Sequence, residues 1–175
     1  MIHILESGFE NHSKHLSDDV YSQVLDSVVV ACVDCAGVCG SKIFLGKRTD
    51  RPAKNQWWVQ GGRMQVGVDP RRTVLGILQR EVALDITDLN SIIDLNLAIS
   101  YIWEDRHQPP AGHGCHMVGM YYMTIVNQTV KERLKHMEPN RNFCAFQWMD
   151  LGILIESANF NSGIRALAER ILEVS

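Results

Sequence analysis

Phe44-Leu45-Gly46-Lys47-Arg48-Thr49-Asp50-Arg51-Pro52-Ala53, followed three residues later by Trp57-Trp58-Val59-Gln60-Gly61-Gly62-Arg63, carries the clearest structural signal in the chain. Residues Lys42 to Lys47 read as a strand, and Thr49 to Gln56 as a polar loop with one proline. Trp57-Trp58-Val59 reads as a short strand that ends at Gly61-Gly62. Strand side chains alternate in direction, so one tryptophan meets the core and the other, taken as Trp58, is free to face a pocket. Upstream, Ser27 to Val33 forms the first arm of a β-hairpin, joined to Lys42–Lys47 by a turn rich in Cys, Ala, Gly and Ser. Downstream, Asp69-Pro70 is a helix start: the aspartate caps orphan amides and proline fits the first helical position. The helix is predicted to reach about Leu84, with Val74, Ile77, Leu78 and Val82 as its buried stripe.

Further out, strands are predicted near 95–103, 117–126 and 143–148, with a His/Pro/Gly loop between the first two. Met117, Met120 and Met123 read as a core stripe. A final helix, Ile164 to Val174, turns Leu167, Ile171 and Leu172 to one face. Residues 1–26 form a helical extension, since Val20, Tyr21, Val24 and Leu25 follow Asp18-Asp19 at helical spacing. The order β-hairpin, β, α, β, β, β, α points to the α/β class, with a mixed sheet sandwiched between helices in one domain, 1–175.

The bulk composition narrows the partners. Hydrophobic residues make up 46% and charged residues 21%, an ordinary globular balance. A net charge of −3 gives no general attraction to nucleic acid or to an anionic membrane, so neither is an expected partner. No apolar run is long enough to span a bilayer, and no secretion signal is read at the start. Five cysteines (32, 35, 39, 115 and 144) fit free thiols in a reducing cytoplasm. The spacing Cys32-x2-Cys35-x3-Cys39 also admits a zinc site completed by Cys115 or His116; buried strand cysteines are the commoner case.

The run 44–53 with 57–63 resembles the GDP-mannose mannosyl hydrolase branch of the Nudix family, with a looser match to about Trp148. That resemblance implies the Nudix fold and a hydrolase of nucleoside diphosphate-linked substrates, most of all nucleotide sugars, using Mg²⁺ or Mn²⁺. The family's box, G-x5-E-x7-R-E-U-x-E-E-x-G-U, clusters carboxylates because Mg²⁺ prefers hard oxygen ligands. Laid on from Gly62, it is degenerate: Gly62, Glu81 and Leu84 keep the pattern, while Val68, Gly76-Ile77, Arg80 and Ala83 depart from it. The branch itself has a shortened box.

Carried over, the metal ligands are the Gly61 carbonyl, Glu81 and, in place of a family Gln, Asn142. Arg48 and Arg63 match the arginines that hold the diphosphate, with Arg48 also stabilising its departure; a guanidinium fork suits phosphate oxygens. Tyr121 matches a tyrosine of the substrate pocket, beside Trp58. The family's histidine base falls on Phe143, and an aspartate of its first long strand falls near Ala31 or Cys32, so both are replaced. A substitute base is expected in the loop 104–116, among His107, His113 and His116, with His116 taken as the catalytic one. A homodimer is expected. Two other classes stay open: a domain that binds a nucleotide sugar or a protein without turnover, and a structural subunit without ligand.

Overall fold

The computed structural model describes residues 2–4 and 7–175. Residues 1, 5 and 6 of the predicted extension therefore lie outside the described residues. The elements run α1 (Asp18–Ser27), β1 (Val30–Cys39), β2 (Lys42–Arg48), β3 (Trp57–Trp58), β4 (Gln60–Arg63), α2 (Pro70–Val82), β5 (Ile92–Trp103), β6 (Cys115–Ile125), α3 (Gln128–Lys135), β7 (Phe143–Asp150), α4 (Leu151–Glu156) and α5 (Ser162–Val174). The expected α/β class holds: seven strands form one mixed sheet between layers of helix.

β1 is the hub of that sheet. It runs parallel to β6, while β2 and β4 pair with it antiparallel along different stretches. The order is β3-β2-β1-β6-β5, with β7 on β2. Alternation along β1 divides the core. Ala36 and Val38 face α4 and α5, whose Leu151, Leu154, Ile164, Leu167 and Ile171 are buried against them. Val33 and Cys35 face α2 and α3, meeting Val74, Ile77, Leu78, Val82, Val130 and Leu134. Burying an aliphatic side chain of this size contributes roughly 1.5–3 kcal/mol, so these two stripes are the main source of stability.

Local chemistry accounts for the helix ends. Asp69 caps α2 by accepting from the amides of Arg71 at 2.8 Å and Arg72 at 3.3 Å, with Pro70 at the first turn. α2 ends at Ala83, whose φ of 52° lies in the left-handed region that favours glycine. An alanine here holds an L-residue in a strained conformation costing about 1 kcal/mol.

Two sequence expectations are corrected here, the end of the first strand and the methionine stripe. The first strand does not stop at Val33: it continues through Asp34 and Cys35 to Cys39, and the hairpin turns on Gly40-Ser41. Cys32 and Cys35, three apart on a strand, therefore lie on opposite faces and cannot converge on one zinc ion; all five thiols are free. For the same reason the methionines are not one stripe, since Met120 packs on the α2 side while Met117 and Met123 lie on the other. Two short helices, α3 and α4, add to the predicted set. Among the described residues, no helix is long and apolar enough to cross a membrane.

Candidate active site

A cavity of about 200 Å³ opens on the α5 side of the sheet, where β1, β4, β5 and β6 converge. Val30, Cys32 and Asp34 of β1, Gly61 and Gly62 of β4, Met117 and Gly119 of β6 and Tyr101 and Trp103 of β5 surround it. Arg48 and Trp58 close one side, and Arg63 and Tyr21 another. Tyr101 and Trp103 are stacked with centroids 5.1 Å apart, and Trp58 meets each edge-on, at 5.4 and 5.7 Å. Such edge-to-face packing holds the wall rigid.

Asp34 lies at the floor and is 8% exposed. Its carboxylate fits only because the neighbouring strands carry glycine. A Cβ on Gly61 would overlap Asp34 Oδ1, and one on Gly119 would lie 2.8 Å from Oδ2. Burial pushes the Asp34 pKa up to about 7; the Arg48 guanidinium opposes this, the Glu81 charge adds to it, and the Trp58 indole N–H opposes it. The buried acid thus titrates near neutrality. Cys32 beside it is pushed up to about 12, mainly by burial, and stays a thiol.

Glu81, on the last turn of α2, is 5% exposed. Its Oε1 accepts from Arg80 Nη2 at 3.0 Å and from Asn142 Nδ2 at 3.2 Å, while the buried Oε2 has no hydrogen-bond partner. Burial raises its pKa; Arg80, the Gly61 backbone N–H and Arg48 favour the ionised form. Arg48 is itself half-buried between the carboxylates of Asp34 and Glu81, and its Nε donates to the Pro52 carbonyl at 2.9 Å. Burial draws its pKa down while both carboxylates hold it up.

The two side chains carried over as metal ligands, Glu81 and Asn142, are therefore brought together 61 residues apart in sequence. Gly61 is adjacent through its N–H. The free buried Oε2 of Glu81 is a hard oxygen ligand of the kind Mg²⁺ or Mn²⁺ prefers, while Asn142 turns its Nδ2 and Gly61 its N–H toward the same carboxylate. Among the described residues, no cluster of three His, Cys, Asp or Glu could hold a metal, so the fit rests on this mixed set.

Arg48, Arg63 and Trp58 all line the cavity. Tyr121 does not: it is fully buried behind the wall, sharing a 2.6 Å hydrogen bond with the Tyr101 hydroxyl, and Tyr101 reaches the cavity instead. His116 is also elsewhere. It neighbours Met117 on β6 and so projects to the opposite face, where Nε2 lies 2.8 Å from Ser100 Oγ. His107 pairs with Asp50 at 2.8 Å and His113 with Asp26 at 3.2 Å, so neither reaches the cavity. Phe143, where a family base was expected, is buried over Gly46 and packs on Phe146 at 5.3 Å.

Sequence reasoning missed Asp34, Tyr101 and Trp103. The signal for Asp34 was present: an aspartate inside an apolar strand is the anomaly that marks a buried charge. Ending that strand at Val33 hid it.

No protein-family model and no curated protein matches the sequence. Solved structures do match. A MutT Nudix hydrolase from Burkholderia pseudomallei superposes with a TM-score of 0.61 at 18% identity, covering 83% of this chain and 99% of that one. The Nudix domain of Shewanella oneidensis NrtR, complexed with ADP ribose, gives 0.56 at 15% identity, covering 91% and 99%. The chain spans 61% of the NrtR chain complexed with a 27-mer DNA, at 16% identity, 82% coverage of this chain and a TM-score of 0.60. The E. coli dihydroneopterin triphosphate pyrophosphohydrolase gives 0.62 at 13% identity, covering 85% and 100%. On this likeness the chain has the fold of the Nudix hydrolases.

Proposed function

We propose that this chain is a Nudix-type hydrolase dependent on Mg²⁺ or Mn²⁺, acting on a nucleoside diphosphate linked to another group, with a nucleotide sugar such as GDP-mannose as first choice. The observation that carries it is Glu81, with its buried unpartnered Oε2, held against Asn142 outside the cavity lining and linked through Gly61 and Arg48 to the cavity floored by Asp34. Glu81, Asn142 and the Gly61 carbonyl would hold the cation, which when bound neutralises diphosphate charge. Arg48 and Arg63 grip phosphate oxygens, and positive charge fixed in advance stabilises a departing diphosphate. Asp34 is the base this reading favours over the loop histidines, because a group titrating near 7 can take a proton at working pH. The aromatic wall of Trp58, Tyr101 and Trp103 takes a ring-sized moiety. A homodimer is part of the same reading.

The burial of Phe143 favours one alternative, a domain that binds the nucleotide without turnover. One experiment separates them: a nucleotide-sugar panel with Mg²⁺ and Mn²⁺, scored for free sugar and for sugar phosphate, on wild type and Glu81→Gln. Metal-dependent product from the wild type, largely lost in Glu81→Gln, is expected. Binding of a nucleotide sugar without any product establishes the alternative, and undiminished activity in Glu81→Gln removes Glu81 as the chief ligand.

A further inference from the structure

The cavity has a wall that comes from outside the sheet. Tyr21 of α1 lines it, and the guanidinium of Arg63 lies over the Tyr21 ring, 4.4 Å from its centroid. Arg63 is exposed at the rim, and no carboxylate pairs with it among the described residues, so its charge is free for an anion. α1 in turn is held by a buried hub. Arg106 is 1% exposed, and its Nη2 donates to Ser22 Oγ at 2.6 Å and its Nη1 to Asp26 Oδ1 at 2.7 Å. The same guanidinium donates to the carbonyls of Gly114 at 3.1 Å and Gln108 at 3.2 Å, and Ser22 Oγ donates to the Pro109 carbonyl at 2.6 Å. A buried arginine satisfied at every side fixes geometry, because losing one partner strands its charge. The β5–β6 loop thereby sets where α1 stands, and α1 sets where Tyr21 meets Arg63.

We propose that α1 is part of the ligand site and that Tyr21 is a positioning residue, its ring holding Arg63 over the cavity rim to grip a phosphate of the ligand. The aromatic face attracts the cation and removes rotamers that Arg63 would otherwise sample in the free protein, so less freedom is lost when an anion binds. This rests on the nucleoside-diphosphate reading above.

The test is a double-mutant cycle read by calorimetric titration with GDP and with ADP, on wild type, Tyr21→Phe, Tyr21→Leu, Arg63→Ala and the double variant Tyr21→Leu/Arg63→Ala. Phenylalanine keeps the ring face, so Tyr21→Phe should bind within about twofold of wild type, whereas Tyr21→Leu should bind roughly two- to tenfold weaker. In the Arg63→Ala background the leucine should cost nothing further, which a merely structural effect of α1 would not produce. Equal binding by Tyr21→Leu and wild type, or a full additional loss in the double variant, overturns the proposal alone. A wild type that binds neither nucleotide overturns the nucleoside-diphosphate reading and the proposal with it. Should Tyr21→Leu fail to fold, Tyr21→Met retains apolar bulk without a π face and gives the same comparison.

Discussion

Replacing Asp34 by Asn removes a charge whose cost can be worked from the structure. Burial lifts the Asp34 pKa from 3.8 to about 7. A carboxyl that binds its proton more tightly when folded stabilises fully below the unfolded value, loses that contribution as pH rises, and has lost it once pH passes the folded value. The three-unit rise corresponds to about 4 kcal/mol in all. Between pH 5 and pH 8 the wild type should lose about 2.5 kcal/mol through this group alone. For a domain of this size that is about 5–10 °C in melting temperature. Asparagine keeps the shape in the Gly61–Gly119 cradle but carries no charge, so its stability should lack this component. The assay is thermal or urea unfolding of metal-free wild type and Asp34→Asn across pH 5–8. The difference between the two isolates Asp34 from other titrating groups, and it should grow in favour of the variant as pH rises. Turnover should fall in the variant, with loss of the limb near neutrality. Parallel stability curves for the two proteins from pH 5 to 8 would refute the argument that a buried, near-neutral carboxyl sits at the floor of the cavity.

Two further substitutions address the base. Phe143→His should lower stability by about 2–4 kcal/mol without raising turnover, because the ring is packed in the core over Gly46 rather than facing the cavity; denaturant melts and rate measurements read both effects. The triple variant His107→Ala/His113→Ala/His116→Ala should keep the wild-type pH–rate profile, since these rings pair with Asp50, Asp26 and Ser100 away from the cavity; a lost limb in that profile would return the base to the loop.

Much of the scaffold is legible in local chemistry. Asp69-Pro70 announces α2, and the stripe Val74–Ile77–Leu78–Val82 is the buried face of that helix, while alternation separates Trp57 from Trp58 without saying which meets the cavity. These signals survive in one dimension because capping and periodicity act between residues a few positions apart. Arg48, Arg63 and Glu81 were singled out differently, by the resemblance of the stretches around them to a known family.

Only tertiary structure decided which groups share a cavity. His116 and Met117 are neighbours in sequence, yet pleating sends one to each face of the sheet, and only Met117 meets the cavity. Asp34 becomes a near-neutral acid because Gly61 and Gly119, from strands 27 and 85 residues away, leave room for its carboxylate and keep water from it. The same long-range pairing moves Tyr121 behind Tyr101 and draws Asn142 to Glu81. Strand register and burial are properties of the assembled sheet, and the pKa of a carboxyl follows its burial, so no local pattern encodes either.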